Sequence, residues 1–246
     1  MSKEKLENKL NTHPLIIPRL QTLKLAEKIN PKFRKPHIIG GFLRNIALDI
    51  EPNDCDVVFQ GQQWEQPGIV EAVREAEKRL GVEPYPEWDF ENALATGQSP
   101  DFYENTIGKY SNHTDYLTVL LLDADGKLYI GDEKTLSDIE TRTYDFRFSG
   151  IEVWAMHRGQ GRSYASCIVG DLTRGLYLCQ NLNLEPSLIV KFLMESYDYF
   201  FEKLSAEDQE ARRAYWKKKT KNNRKYQQVL DRFNIKSLEQ GWRLSF

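Results

Sequence analysis

With 246 residues the chain is long enough for a substantial buried core, and 40% hydrophobic with 28% charged residues describes a globular protein rather than a disordered or membrane-embedded one. A formal net charge of -2 excludes a polycation, so any nucleic-acid contact must come from a local patch. Cys55, Cys167 and Cys179 are odd in number and, like the four scattered histidines, lack metal-ligand spacing, which excludes a legible zinc site and favours free thiols in a reducing compartment.

The charged N-terminus, Met1 to Lys9, has no apolar core of a signal peptide. Residues 3–12 and 18–29 have helical spacing, the second with Leu20, Leu23, Leu25, Ala26 and Ile29 inside, Pro18 at its start and Asn30-Pro31 at its end. Residues 1–36 therefore read as helices packed on the domain that begins at residue 37. There, Ile38-Ile39 ends in Gly40-Gly41, a helical stretch holds Phe42, Leu43, Ile46 and Ala47, and a strand alternates from Asp54 to Phe59. On that strand Asp54 and Asp56 project to one side, with Cys55, Val57 and Phe59 turned to a core. Two carboxylates on one face repel unless a divalent cation sits between them and a ligand. Glycines at a helix start let a backbone approach phosphate closely. Together these point to phosphoryl or nucleotidyl transfer; a plain turn and exposed strand is the alternative.

Gly40-Gly41, Arg44, and Asp54-x-Asp56 on a following strand resemble the head domain of the nucleotidyltransferase superfamily, in its bacterial poly(A) polymerase and CCA-adding enzyme branch. Asn45 stands where that motif has Asp after Arg. The resemblance implies that Asp54 and Asp56 are metal ligands, that Gly40 and Gly41 cradle phosphates and that Arg44 supports the site.

Gly61 to Gly68 reads as loop, Ile69 to Leu80 as an amphipathic helix closed by Gly81, and 82–112 has no periodicity that resolves it. Asp115 to Leu122 reads as a buried strand, Asp123-Ala-Asp-Gly126 as a turn, and Lys127 to Ile130 as a return strand. The stretch is similar to the family's Arg-Arg-Asp-Phe-Thr-x-Asn motif, and a helix at Leu136-Ser-Asp138 comes after it. Asp115 and Thr118 match, while His113, Thr114 and Val119 replace the two arginines and the asparagine that handle sugar and phosphates. Asp115 is a third catalytic carboxylate or ribose contact, or a strand-start residue.

Residues 143–169 read as added β structure: Tyr144 to Phe148 and Ile151 to Met156 alternate, Arg158 to Arg162 is a turn, and Ser163 to Val169 is a further strand. A helix then opens near Asp171 and Arg174, an (i, i+3) pair on one face. These match the family's Glu-Asp-x-x-Arg base-reading motif with Gly170 in place of Glu; an N-capping Asp171 is the alternative. Ser187 to Leu204 reads as one apolar helix with Tyr197, Tyr199, Phe200 and Phe201 in the core, and Lys191, Glu195 and Asp198 make it too polar to cross a bilayer. Ser205 starts a further helix. Arg212, Arg213, Lys217, Lys218, Lys219, Lys221, Arg224 and Lys225, interleaved with Tyr215, Trp216 and Tyr226, make an RNA-binding surface or a solvated helix face.

The expected architecture is α/β (α+β): a nucleotidyltransferase mixed sheet with helices over 37–168, then a helical neck and basic tail over 169–246. The expected activity is metal-dependent and template-independent: NMP passes from an NTP, ATP and/or CTP, to the 3′-hydroxyl of an RNA such as tRNA, with two Mg²⁺ ions and release of pyrophosphate. Alternatives are a catalytically degenerate nucleotide- or RNA-binding module, transfer to a protein or small molecule, and a structural partner protein that uses its basic tail. The expected location is cytoplasmic, with no membrane contact.

Overall fold

Ile38 and Ile39 are apolar toward both faces, the mark of a strand covered on both sides. The computed structural model of the protein describes residues 1–52, 54–60, 66–86, 88–93, 116–146, 164–221 and 225–239. It divides into two compact units, residues 1–111 with 117–140 and residues 112–116 with 141–246.

The first unit holds helices α1 (Lys3–Asn11), α2 (Ile16–Ile29), α3 (Gly41–Ala47), α4 (Gln66–Leu80) and α5 (Lys134–Thr141) and strands β1 (Arg34–Ile39), β2 (Cys55–Gln60), β3 (Trp88–Ala93), β4 (Leu120–Asp123) and β5 (Leu128–Ile130). The five strands form one mixed sheet in the order β3-β2-β1-β4-β5. β1 is antiparallel to both neighbours, β2 and β3 are parallel, and β4 and β5 form a hairpin. Ile38, Val57, Val58, Phe59, Leu120, Leu121 and Leu122 have no exposed surface, and α2 packs on α4 through an apolar layer that includes Leu23, Ala26, Ile69, Val73 and Ala76.

Local chemistry sets most of these boundaries. α1 starts at Ser2, whose hydroxyl accepts the Lys5 N–H. α2 begins two residues before the expected Pro18, which sits in the first turn where no N–H is missed. α4 begins at Gln66, earlier than expected, and its outer positions Val70 and Leu80 are 40% and 38% exposed. It ends in a Schellman motif: Gly81 has φ 64°, and the N–H groups of Val82 and Gly81 reach the carbonyls of Glu77 and Lys78. The expected turn at 123–126 is present, with Asp123 Oδ1 accepting the N–H groups of Asp125 and Lys127 at 3.0 and 2.8 Å. The strand before it is shorter than expected, because Tyr116–Thr118 is a 3₁₀ turn.

The second unit is helical: α6 (Tyr164–Leu182), α7 (Leu188–Glu195), α8 (Tyr197–Phe201), α9 (Ala206–Thr220) and α10 (Lys225–Arg232), with a short parallel pair of β6 (Thr143–Tyr144) and β7 (Glu185–Pro186). Two expectations are corrected here. Residues 164–169 are not a strand but the first turns of α6: burial at Ile168, Val169, Leu172, Leu176 and Cys179 follows the helical period and carries the helix back to Tyr164. Residues 187–204 are two helices, α7 ending at Ser196, and Tyr199 is 62% exposed rather than core. Leu188 and Phe192 are also exposed, while Val190 and Met194 on the other side of α7 are buried. The expected β structure at 147–163 lies outside the described residues. Among those described, no helix is long and apolar enough to cross a membrane.

Candidate functional site

The turn between β1 and α3 requires glycine. Gly40 has φ 63° and ψ -125°, a conformation that a side chain opposes. Its N–H donates to the Leu120 carbonyl at 3.1 Å and its carbonyl accepts the Arg44 N–H, so the turn is fixed to β4 and opens α3. A Cβ on Gly41 would lie 3.4 Å from Arg44 Nη2, which places the guanidinium beside the glycine backbone. Arg44 is 7% exposed and donates Nε and Nη2 to the single oxygen Asn45 Oδ1 at 3.0 and 2.8 Å. The amide therefore keeps the pairing geometry an aspartate would give, but this Arg–Asn pair retains a positive charge.

At the start of β2 exposure alternates, with Asp54, just before it, exposed, Cys55 buried and Asp56 half-exposed, and from Val57 to Phe59 both faces are buried. β3 brings a further carboxylate, because Asp89 is in parallel register with Asp56 and is exposed. Nothing local in the sequence marks it; in the fold it lies between Trp88 and Phe90, whose rings stack at 5.8 Å. Among the described residues no three His, Cys, Asp or Glu side chains are grouped to hold a metal ion. Mg²⁺ is bound through one or two carboxylates, completed by water and phosphate oxygens. Asp54 and Asp56 at the start of β2 match that hard-oxygen donor set.

Asp115, His113, Thr114 and Arg224 lie outside the described residues. Val119 is fully buried, so it offers no polar contact in place of the asparagine of the motif it replaces.

In the second unit Asp171 and Arg174 are both half-buried on α6. The capping alternative for Asp171 is overturned, since the helix begins two turns earlier at Tyr164. Gly170 has a neighbour that explains why no longer side chain stands there: a Cβ would meet the Arg212 guanidinium at 3.1 to 3.3 Å. Arg213 donates Nε to the Ser237 carbonyl at 3.2 Å and lies 5.0 Å from the Phe201 ring. These two arginines are thus engaged in packing. Trp216 and Tyr226 are 1% and 3% exposed and contact each other edge-on at 5.7 Å, which corrects the expectation that they meet an unstacked base. Lys217, Lys218, Lys219, Lys221 and Lys225 are exposed. Lys219 Nζ lies over the half-buried rings of Tyr177 and Tyr215 at 5.4 and 5.9 Å.

No family model and no curated protein matches the sequence. Solved structures match in fold. The chain is similar to a CCA-adding enzyme in complex with CTP, at 14% identity and a TM-score of 0.58, over 96% of this chain and 54% of that one. It is similar to the Thermotoga maritima CCA-adding enzyme complexed with tRNA, at 14% identity and a TM-score of 0.57, again over 96% and 54%. An apo tRNA-processing enzyme is similar at 16% identity and a TM-score of 0.57, over 94% of this chain and 60% of that one. The chain thus spans little more than half the length of these structures. Likeness at that identity is one of fold: the chain shares the fold of these CCA-adding and tRNA-processing enzyme structures.

Proposed function

We propose that this chain, built on that fold, transfers NMP from ATP or CTP to the 3′-hydroxyl of an RNA such as tRNA. The observation that carries the reading is the juxtaposition within one sheet: a glycine turn at φ 63° with the Arg44 guanidinium beside it, and a carboxylate pair on the antiparallel neighbour strand. Asp54 and Asp56 are the residues that would hold Mg²⁺, with Asp89 next to them in register. Bound there, Mg²⁺ would supply charge neutralisation for an in-line displacement at phosphorus.

The chain's own groups do the rest. Gly40 and Gly41 admit the triphosphate close to backbone, and Arg44 with its neutral Asn45 partner adds positive charge there. Asp171 offers an acceptor and Arg174 donors for a base edge. Asp115 is the further carboxylate or ribose contact of this reading. The exposed lysines of α9, with Lys225, attract the RNA backbone, and Arg212, Arg213 and Arg224 add to the local positive field. In the reaction the 3′-hydroxyl oxygen bonds to the α-phosphorus, the bond from that phosphorus to the bridging oxygen breaks, pyrophosphate leaves, and the hydroxyl proton passes to solvent.

The test is incubation of the full chain with α-labelled ATP or CTP, Mg²⁺ and tRNA or total RNA. Incorporation is expected in wild type and is expected to drop by more than about 100-fold in Asp54→Ala/Asp56→Ala, more than loss of a supporting contact costs. Equal incorporation by wild type and the double variant would defeat the enzyme reading. A second reading, nucleotide binding without transfer, draws on the buried, apolar Val119 at a sugar-handling position of the motif. It predicts saturable ATP or CTP binding with no incorporation.

A further inference from the structure

On the other side of β2 from the carboxylate pair, Cys55 is buried near the Arg19 guanidinium of α2, whose charge opposes the upward push of burial on the thiol. Arg19 lines a cleft of about 420 Å³ between α2 and the segment after α4, a size suited to a small organic ligand. The arginine is 8% exposed, and its guanidinium lies 3.7 Å from the centre of the Tyr85 ring and 5.1 Å from that of Phe42. Nη1 donates to the Leu15 carbonyl, while Nε, fully enclosed, makes no hydrogen bond. No described carboxylate pairs with it. A buried cation without a counter-charge is costly, and it becomes favourable when an anion completes it.

The acid nearest to hand is already committed. Glu77, 2% exposed in the lining, accepts the Tyr85 N–H and the Trp88 indole N–H through Oε1, each at 2.9 Å, and pairs through Oε2 with Arg74 at 2.9 Å. Its role is to hold the aromatic wall: Tyr85 and Trp88 meet edge to face at 5.6 Å. Pro18, Pro84 and Pro86 supply stiff apolar surface around that wall. One uncompensated cation and a flat apolar wall match a flat ligand with one negative charge. Glu77 and Glu83, both in the lining, repel a second one.

We propose that this cleft binds an aromatic or heteroaromatic carboxylate, its carboxylate on Arg19 and its ring against Tyr85 and Trp88. The site is separate from the proposed nucleotidyl transfer, and neither proposal depends on the other.

Benzoate is the probe, titrated into the full chain and followed by the Trp88 indole N–H resonance, assigned by its loss in Trp88→Phe. Benzyl alcohol, neutral, and AMP, a dianion, are the comparison arms. Saturable benzoate binding is expected, weakened more than about tenfold in Arg19→Gln, since truncating one member of a buried charge pair costs at least that much. Glu83→Gln, at an exposed position that leaves folding intact, is expected to tighten benzoate about twofold and leave benzyl alcohol unchanged, as removal of a nearby like charge requires. Absence of a saturable Trp88 shift, benzoate binding unaffected by both variants, or tighter binding of AMP or benzyl alcohol than of benzoate would each overturn the proposal.

Discussion

His37 shows how far a single residue can depart from what its neighbours in the sequence imply. It lies in β1 opposite Asp123 of β4, fully buried, with Nδ1 at 2.6 Å from the Lys35 carbonyl and its ring 6.0 Å from that of Tyr129. Burial pushes its pKa down to about 4, with the Lys35 carbonyl and the Asp123 charge acting the other way. The ring is therefore neutral in the fold, whereas in the unfolded chain it takes up a proton below about pH 6.5. Between those two values the unfolded state binds more protons, so stability is whole above the upper one and falls as pH falls toward the lower. The urea midpoint is expected to correspond to about 2–3 kcal/mol less stability at pH 4.5 than at pH 7, and His37→Leu is expected to remove most of that slope. An unchanged slope in the variant would assign the acid loss to other groups. At this scale the sequence was a fair guide to which side of the strand Asp54 and Asp56 share, away from buried Cys55, because alternation between neighbours is a local property. Asp89 was hidden because its relation to Asp56 is a register between strands, which no local pattern encodes.

Helices and strands were legible where one period ran unbroken and misread where packing overrode composition. The β-branched and aromatic start of α6 has the composition of a strand, yet its buried residues share a face with those of the following turns. α7 and α8 have one continuous apolar composition, but Ser196 adopts φ -94° and ψ 10°, ending one helix and starting the next. The contact of α6 with β6 is close enough to test by adding one carbon. A Cβ on Gly175 would lie 2.6 Å from Tyr144 Cε1, and Tyr144 is fully buried and has no room to swing away. Gly175→Ala is expected to lower unfolding stability by about 1–3 kcal/mol. Gly170→Ala should cost less, because the atoms it meets, at 3.1 Å and beyond, are the end of the flexible Arg212 side chain. Equal chemical-denaturation midpoints for Gly175→Ala and wild type would count against this packing.

Across the whole molecule, a net charge of -2 means that any attraction to RNA has to be local. The exposed cluster Lys217, Lys218 and Lys219 on α9 is the place to remove it. If each lysine neutralises one phosphate of a single strand, replacing all three with alanine should lower the slope of log affinity against log salt by about 2. A slope left unchanged would take α9 out of the interface. The overall fold was within reach of the sequence because Gly40-Gly41 and Asp54-x-Asp56 fall at a turn and a strand whose geometry they help to set. The burial of Trp216 and Tyr226, expected to be part of an RNA surface, was not, since it depends on α6, α9 and α10 closing together.

The central position of β1 also carries a consequence in time. Its partner on one side, β2, comes soon after it in the chain, but its partner on the other, β4, does not begin until Leu120. At about 5–20 residues a second of synthesis, Ile38 and Ile39 wait several seconds with an open edge before their second neighbour exists. The nascent chain therefore passes through a stage with an unpaired, apolar strand edge at the centre of the future sheet. The β4–β5 hairpin is the last strand pair of this sheet to be made, and it covers that edge when it pairs with β1.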